Sequence, residues 1–246
     1  MIAEYLRRGV AAGAVAGVAY GLYMTLVGNP LSSSVEHAAR DHAGNAHGSG
    51  GLVSEMTTAA VSAGSGLLWA VLLGGVFAVA LYLLEPAIPG SAAVRSYVLA
   101  GAGFLTVSGV PWLALPPAAP GAVHQYPIGL RMRAYVGLAV LGAITATAAV
   151  LAYKRGARRH VGLGIVAGAA PILVIAAVLT LATPTVTTYP NHPMDLVAAY
   201  QGLTVLTQAG IWLLIAGTFN ALRRRESEYR NGPTRTTDDA LVGGGP

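Results

Sequence analysis

The 246-residue chain contains no cysteine, so it can form neither a disulfide framework nor a thiolate-held metal site. Charge is nearly as scarce. Asp, Glu, Lys and Arg make up 10% of the residues, against roughly 25% in a soluble domain. Together with 54% hydrophobic residues and a mean hydropathy of +0.59, this excludes an ordinary water-soluble fold and indicates an integral membrane protein. Alternating polar and apolar patterning is missing, so a β-barrel is excluded and helices are left to satisfy the backbone in lipid. No acid falls in the middle of an apolar run, so the chain shows no proton relay of its own. There is no Walker sequence, which excludes an ATPase. No nucleophile and base converge, so an enzyme is not expected. The net charge of +5 does not point to nucleic acid, because the basic residues gather at the ends of apolar runs.

What is present is a set of long apolar runs rich in Ala, Gly, Val and Leu. About 20 such residues cross a bilayer as a helix. Six runs qualify, near residues 9–27, 58–84, 98–115, 134–153, 161–182 and 197–222. The expected fold class is therefore all-α: a polytopic membrane helical bundle of about six transmembrane helices. The third run is the weakest because it holds Pro111, and Pro171 predicts a kink in the fifth. With both termini cytoplasmic, twelve Lys and Arg lie inside and three outside, a strong positive-inside bias. The first run is too long for a signal-peptide core, and its "LYMTLVGNP" end is a poor cleavage site, so a retained anchor is expected. Residues 1–225 read as the transmembrane domain and 226–246 as a polar, disordered cytoplasmic tail.

This topology sorts the metal-capable side chains. Half of the six histidines lie in "VEHAARDHAGNAHGSGG", residues 35–51, within an external loop spanning 28–57. His37, His42 and His47 recur there at five-residue intervals among Glu36 and Asp41, and His124 and His192 are external too. Apart from Met1, every methionine (Met24, Met56, Met132 and Met194) lies near an outer boundary. Neutral imidazole and carboxylate suit borderline first-row divalent metals. "SSSVEHAARDHA" predicts a short helix with Ser34 as N-cap, placing His37 and Asp41 four apart on one face. His42 falls off that face and His47 follows Gly44, a pattern that suits a loose capture loop better than a rigid site. The candidate ligands are His37, Asp41, His42 and His47, with His124 and His192 secondary. Simple solvation of a polar loop also fits three histidines.

Gln201, Thr204 and Gln208 share one face of the sixth run, where they could line a path or bond between helices. Gly9, Gly13, Gly17 and Gly21 recur every four positions, a face fit for close helix contact. "RRGVAAGAVAG" at 7–17 matches "RRHVGLGIVAG" at 158–168 in seven of eleven positions, so a duplicated hairpin and chance both remain open.

The order of these parts resembles the CbtA-type predicted cobalt transporter subunits. An "RR" start leads into a Gly/Ala-rich helix, then an external His- and acid-bearing loop, "VEHAARDHAGNAH". A later span runs into "PWLALPPAAPG", with Pro116, Pro117, Pro120 and Gly121 as its most specific mark. The resemblance covers about residues 5–222. It implies a multi-pass protein of the prokaryotic inner membrane, carrying cobalt for corrin cofactor synthesis. It also implies a small single-span, His-bearing CbtB-type subunit as partner. No permanently bound cofactor is expected, only the transported divalent metal. By ligand type nickel, zinc or copper would serve as well, and a non-transporting membrane scaffold or assembly protein is the alternative.

Overall fold

A computed structural model describes residues 2–43, 55–183, 186–190 and 193–230. Six of its helical stretches are long and apolar enough to cross a membrane, as the apolar runs predict. Helix α1 (Ile2–Tyr23) continues through a π-turn (Met24–Gly28) into α2 (Asn29–Ala43). Helix α3 (Glu55–Leu84) returns. Helix α4 (Ala92–Phe104) passes through a second π-turn (Leu105–Gly109) into the short α5 (Val110–Ala114). Helices α6 (Ile128–Ala157) and α7 (Val161–Ala182) form a hairpin, and α8 (Met194–Arg230) closes the bundle. The only sheet among the described residues is a two-residue pairing of β1 (Val123–His124) with β2 (Thr187–Thr188).

The two π-turns share a sequence pattern, Thr-x-x-Gly-x-Pro, in "TLVGNP" at 25–30 and "TVSGVP" at 106–111. The reason is steric and electronic at once. Proline lacks an N–H, and its ring strikes the carbonyl four residues back, so a tight α-turn before it is strained. Widening one turn to i→i−5 bonding relieves the clash. Asn29 and Val110 accordingly donate to the Met24 and Leu105 carbonyls. Each motif threonine bonds back to the preceding turn, Thr25 to the Gly21 carbonyl at 2.9 Å and Thr106 to the Ala102 carbonyl at 2.8 Å. In the second turn the Tyr135 hydroxyl donates to the Val107 carbonyl, the one Pro111 cannot serve, at 2.8 Å.

The glycine face of α1 packs against α3. A Cβ at Gly9 would run into the Gly74 carbonyl and Ala78, and one at Gly13 into the Ala70 carbonyl. At Gly17 the nearest atom, on Leu67, would be 2.7 Å away, and at Gly21, on Ala63, 3.4 Å. The helices therefore touch backbone to backbone near their Gly9 end and diverge toward Gly21. In α7 the matching glycines face the preceding helix instead: Gly164 meets Ala157, and Gly168 meets Tyr153 and Ala149 of α6. The two similar stretches thus do not pack as equivalent hairpins.

The core lies among α1, α3, α4 and α8, around Phe77, Leu81, Trp212, Ile215 and Phe219. The Trp212 ring rests on Gly103, where any Cβ would collide with it. The α6–α7 hairpin attaches through Gly142, which packs on Leu105 and Thr106 of the second π-turn. Much of the remaining apolar surface is open, including Leu26, Val166 and Leu181, as expected of side chains that face lipid rather than water.

The beginning of α1 and the end of α8 share one end of the bundle, which we call the terminal end. Arg7 donates to Glu226 at 2.7 Å, and the buried Arg8 bonds both Glu4 and Glu226. Beside them Glu85 accepts from the Tyr5 hydroxyl at 2.6 Å and from Arg223 at 3.0 and 3.1 Å, with Arg95 at 3.7 Å. Four helices are tied together by these carboxylates. Burial alone would raise the Glu85 carboxyl, but the Tyr5 hydroxyl and the Arg223 and Arg95 guanidinium groups outweigh it and hold it below the ordinary range. Helix α8 runs to Arg230, while residues 231–246 of the expected tail lie outside the described residues.

Candidate metal-handling site at the distal end

At the other, distal end, α2 rises as a direct extension of α1. It is seated by Val35, which is fully buried with Ala119 of the proline turn and Val197 of α8. The proline turn is itself braced. Gln201 donates to the Pro117 carbonyl at 3.2 Å and toward the Tyr189 hydroxyl at 3.4 Å, and that hydroxyl accepts from the Ala119 N–H at 3.2 Å. Gln201 therefore braces α8 against the proline turn.

The expected helix over 32–43 is present, but Ser34 is not its N-cap. The helix arrives unbroken from α1, so there are no orphan N–H groups to cap, and the Ser34 hydroxyl donates back to the Pro30 carbonyl at 2.9 Å. His37 is exposed on α2, with Nδ1 2.7 Å from the Ser33 carbonyl. A carbonyl only accepts, so Nδ1 carries a proton, and in the neutral ring Nε2 is the nitrogen that keeps a lone pair. The backbone of α2 puts Asp41 one turn beyond His37; the side chains of Asp41 and His42, and all of His47 and His192, lie outside the described residues. His124 is exposed on β1 and lines a cavity of about 290 Å³ with Arg131, Met132 and Tyr135. Among the described residues no three His, Asp or Glu side chains cluster as a ready metal site.

A second cavity, of about 150 Å³, lies deeper, between α1, the first π-turn, α5 and α8. Tyr20, Met24, Trp112, Tyr200, Thr204 and Gln208 are among the residues around it. Of the polar face expected on the sixth run, Gln208 and Thr204 thus border a cavity and Gln201 does not. The Thr204 hydroxyl bonds back to the Tyr200 carbonyl at 2.8 Å. Sequence reasoning singled out Gln208 and Thr204 but missed Tyr20 and Trp112. The signal that could have found them is the pair of Thr-x-x-Gly-x-Pro motifs beside both.

Residues 2–224 match the family described as a probable cobalt transporter subunit (CbtA). The chain belongs to the CbtA family. The match reaches into every transmembrane helix and takes in the distal helix and the braced proline turn, stopping at residue 224, six residues short of the end of α8 at Arg230. No curated protein and no solved structure matches the chain. Membership makes the chain a membrane-embedded subunit of a transporter, a role that involves at least one partner subunit and a metal ion.

Proposed function

We propose that the chain is the membrane subunit of an importer for a divalent transition metal, with cobalt as the cargo. The distal end faces outward and both termini lie in the cytoplasm of a prokaryotic cell, in its inner membrane. His37, Asp41, His42 and His47 capture the ion, with His124 and His192 assisting, and the helix bundle passes it inward without covalent chemistry. A small single-span CbtB-type subunit completes the transporter. The observation that carries this reading is His37, whose tautomer is fixed by the Ser33 carbonyl so that Nε2 stands free at the distal surface. The family's description supports transport and cobalt.

The test is cobalt-57 uptake by cells expressing the chain with His37, His42 and His47 all changed to alanine. At limiting metal we expect uptake to fall about tenfold, the loss of roughly one good ligand contact, and to recover at high metal. Unchanged uptake across low concentrations would refute the capture role. Flux of cobalt, nickel, zinc and copper into liposomes, measured side by side, identifies the cargo, and no flux of any of them with or without partner would refute transport.

A further inference from the structure

We propose that the 150 Å³ cavity between α1, α5 and α8 is a transit site within the membrane, where the divalent metal pauses on neutral oxygen and sulfur donors. The proposal deepens the import reading and rests on it.

Its walls carry the right chemistry. Met24 offers a thioether, Tyr20 and Tyr200 offer hydroxyls, and Gln208 offers a carboxamide. Half-buried polar groups normally find partners. Tyr20, Tyr200 and Gln208 line this space, and their side-chain polar groups make no hydrogen bond among the described residues. They are free to meet a guest. The space holds several waters' worth of volume, enough for an ion with part of its hydration shell. One thioether among oxygens favours a borderline first-row ion over magnesium or calcium. No carboxylate is present, so binding is weak enough for release, as a conduction path requires. Tyr20, Trp112 and Tyr200 also line the cavity, and aromatic rings attract cations through their negative faces.

The backbone is shaped for this arrangement. Met24 opens the first π-turn and Gly28 closes it. A Cβ on Gly28 would stand 2.6 Å from the Met24 sulfur and 3.1 Å from its methyl carbon, so the thioether lies close over the bare Gly28 backbone. The Tyr20 ring likewise lies on the backbone of Gly66 in α3, where any Cβ would strike it. Trp112 follows the second π-turn directly. The first widened turn therefore borders the cavity itself, and the short helix that follows the second supplies Trp112 to it; π-turns recur at functional sites.

The experiment is a cobalt(II) chloride titration of the full chain in lipid nanodiscs, read by quenching of tryptophan emission. The background carries alanine at residues 37, 42 and 47 so that the outer loop contributes nothing. Saturable quenching is expected, and Trp112→Phe should remove most of it while Trp69 and Trp212 remain. Met24→Leu should weaken binding about fivefold or more, and Gln208→Glu, which adds an anion, should tighten it about tenfold. Tighter binding cannot come from a damaged fold. Absence of saturable quenching, equal quenching in Trp112→Phe, or unchanged affinity in Met24→Leu and Gln208→Glu would overturn the site. Flux into liposomes without binding here would refute only the transit site. Binding here without flux of any metal would refute only the import reading.

Discussion

Glu85 is where one side chain does most for this bundle. It draws Tyr5 of α1, Arg95 of α4 and Arg223 of α8 onto the end of α3. Its carboxyl is held low, so its stabilising effect is complete above the ordinary glutamate pKa and disappears as pH falls through the depressed one. Thermal midpoints of the detergent-solubilised protein should be level from neutral pH down toward the ordinary glutamate pKa and fall on acidification below it. Glu85→Gln should lower the midpoint at neutral pH by an amount equivalent to about 1–3 kcal/mol, since it strips partly buried arginines of their counter-charge. It should also flatten the acid limb. A midpoint that is the same in both proteins at neutral pH, and that does not fall on acidification below the ordinary glutamate pKa, would show that this carboxylate is idle.

The helices were legible from the sequence to different depths. All six spans follow from apolar length alone, because lipid tolerates little else. The glycine face of α1 was legible as well, and its contact with α3 makes an unequal prediction along one helix. Gly13→Leu should cost about 1–3 kcal/mol or more, since its side chain would enter the α3 backbone. Gly21→Ala, with its nearest neighbour at 3.4 Å, should be neutral or gain up to about 1 kcal/mol of helix propensity. Equal effects of the two substitutions on thermal midpoint would contradict the divergence of α1 from α3. The continuity of α1 with α2 was not legible. Gly28, Asn29 and Pro30 together read as a helix stop, and only a widened turn lets the chain run on through them. The same competition hid the course of the third span past Pro111. Of the candidate site, His37 and Gln208 could be picked from pattern. Tyr20 and Trp112 were harder to pick, because an aromatic residue in an apolar run reads as packing unless the Thr-x-x-Gly-x-Pro turn beside it is recognised.

For the whole molecule, the lack of cysteine gives a clean background for deciding which end faces out. In Ser33→Cys, a membrane-impermeant maleimide should label intact cells, whereas Ser227→Cys should react only after permeabilisation. Both serines are exposed or at an open end of their helices. The reverse pattern would invert the proposed orientation. The unbroken rod from Ile2 to Ala43 has a mechanical consequence. Its tightest contact with α3 is at Gly9 and Gly13, close to the arginines fastened to Glu226, so the two helices form a pair of shears with the fulcrum near one end. At about 1.5 Å per residue, Met24 sits roughly 16 Å and His37 roughly 36 Å along the blade from Gly13. A swing of about 5° at the fulcrum then moves Met24 by about 1.5 Å and His37 by about 3 Å. On the import reading, the position of the His37 imidazole and the width of the chamber at Met24 would thus follow a single angle.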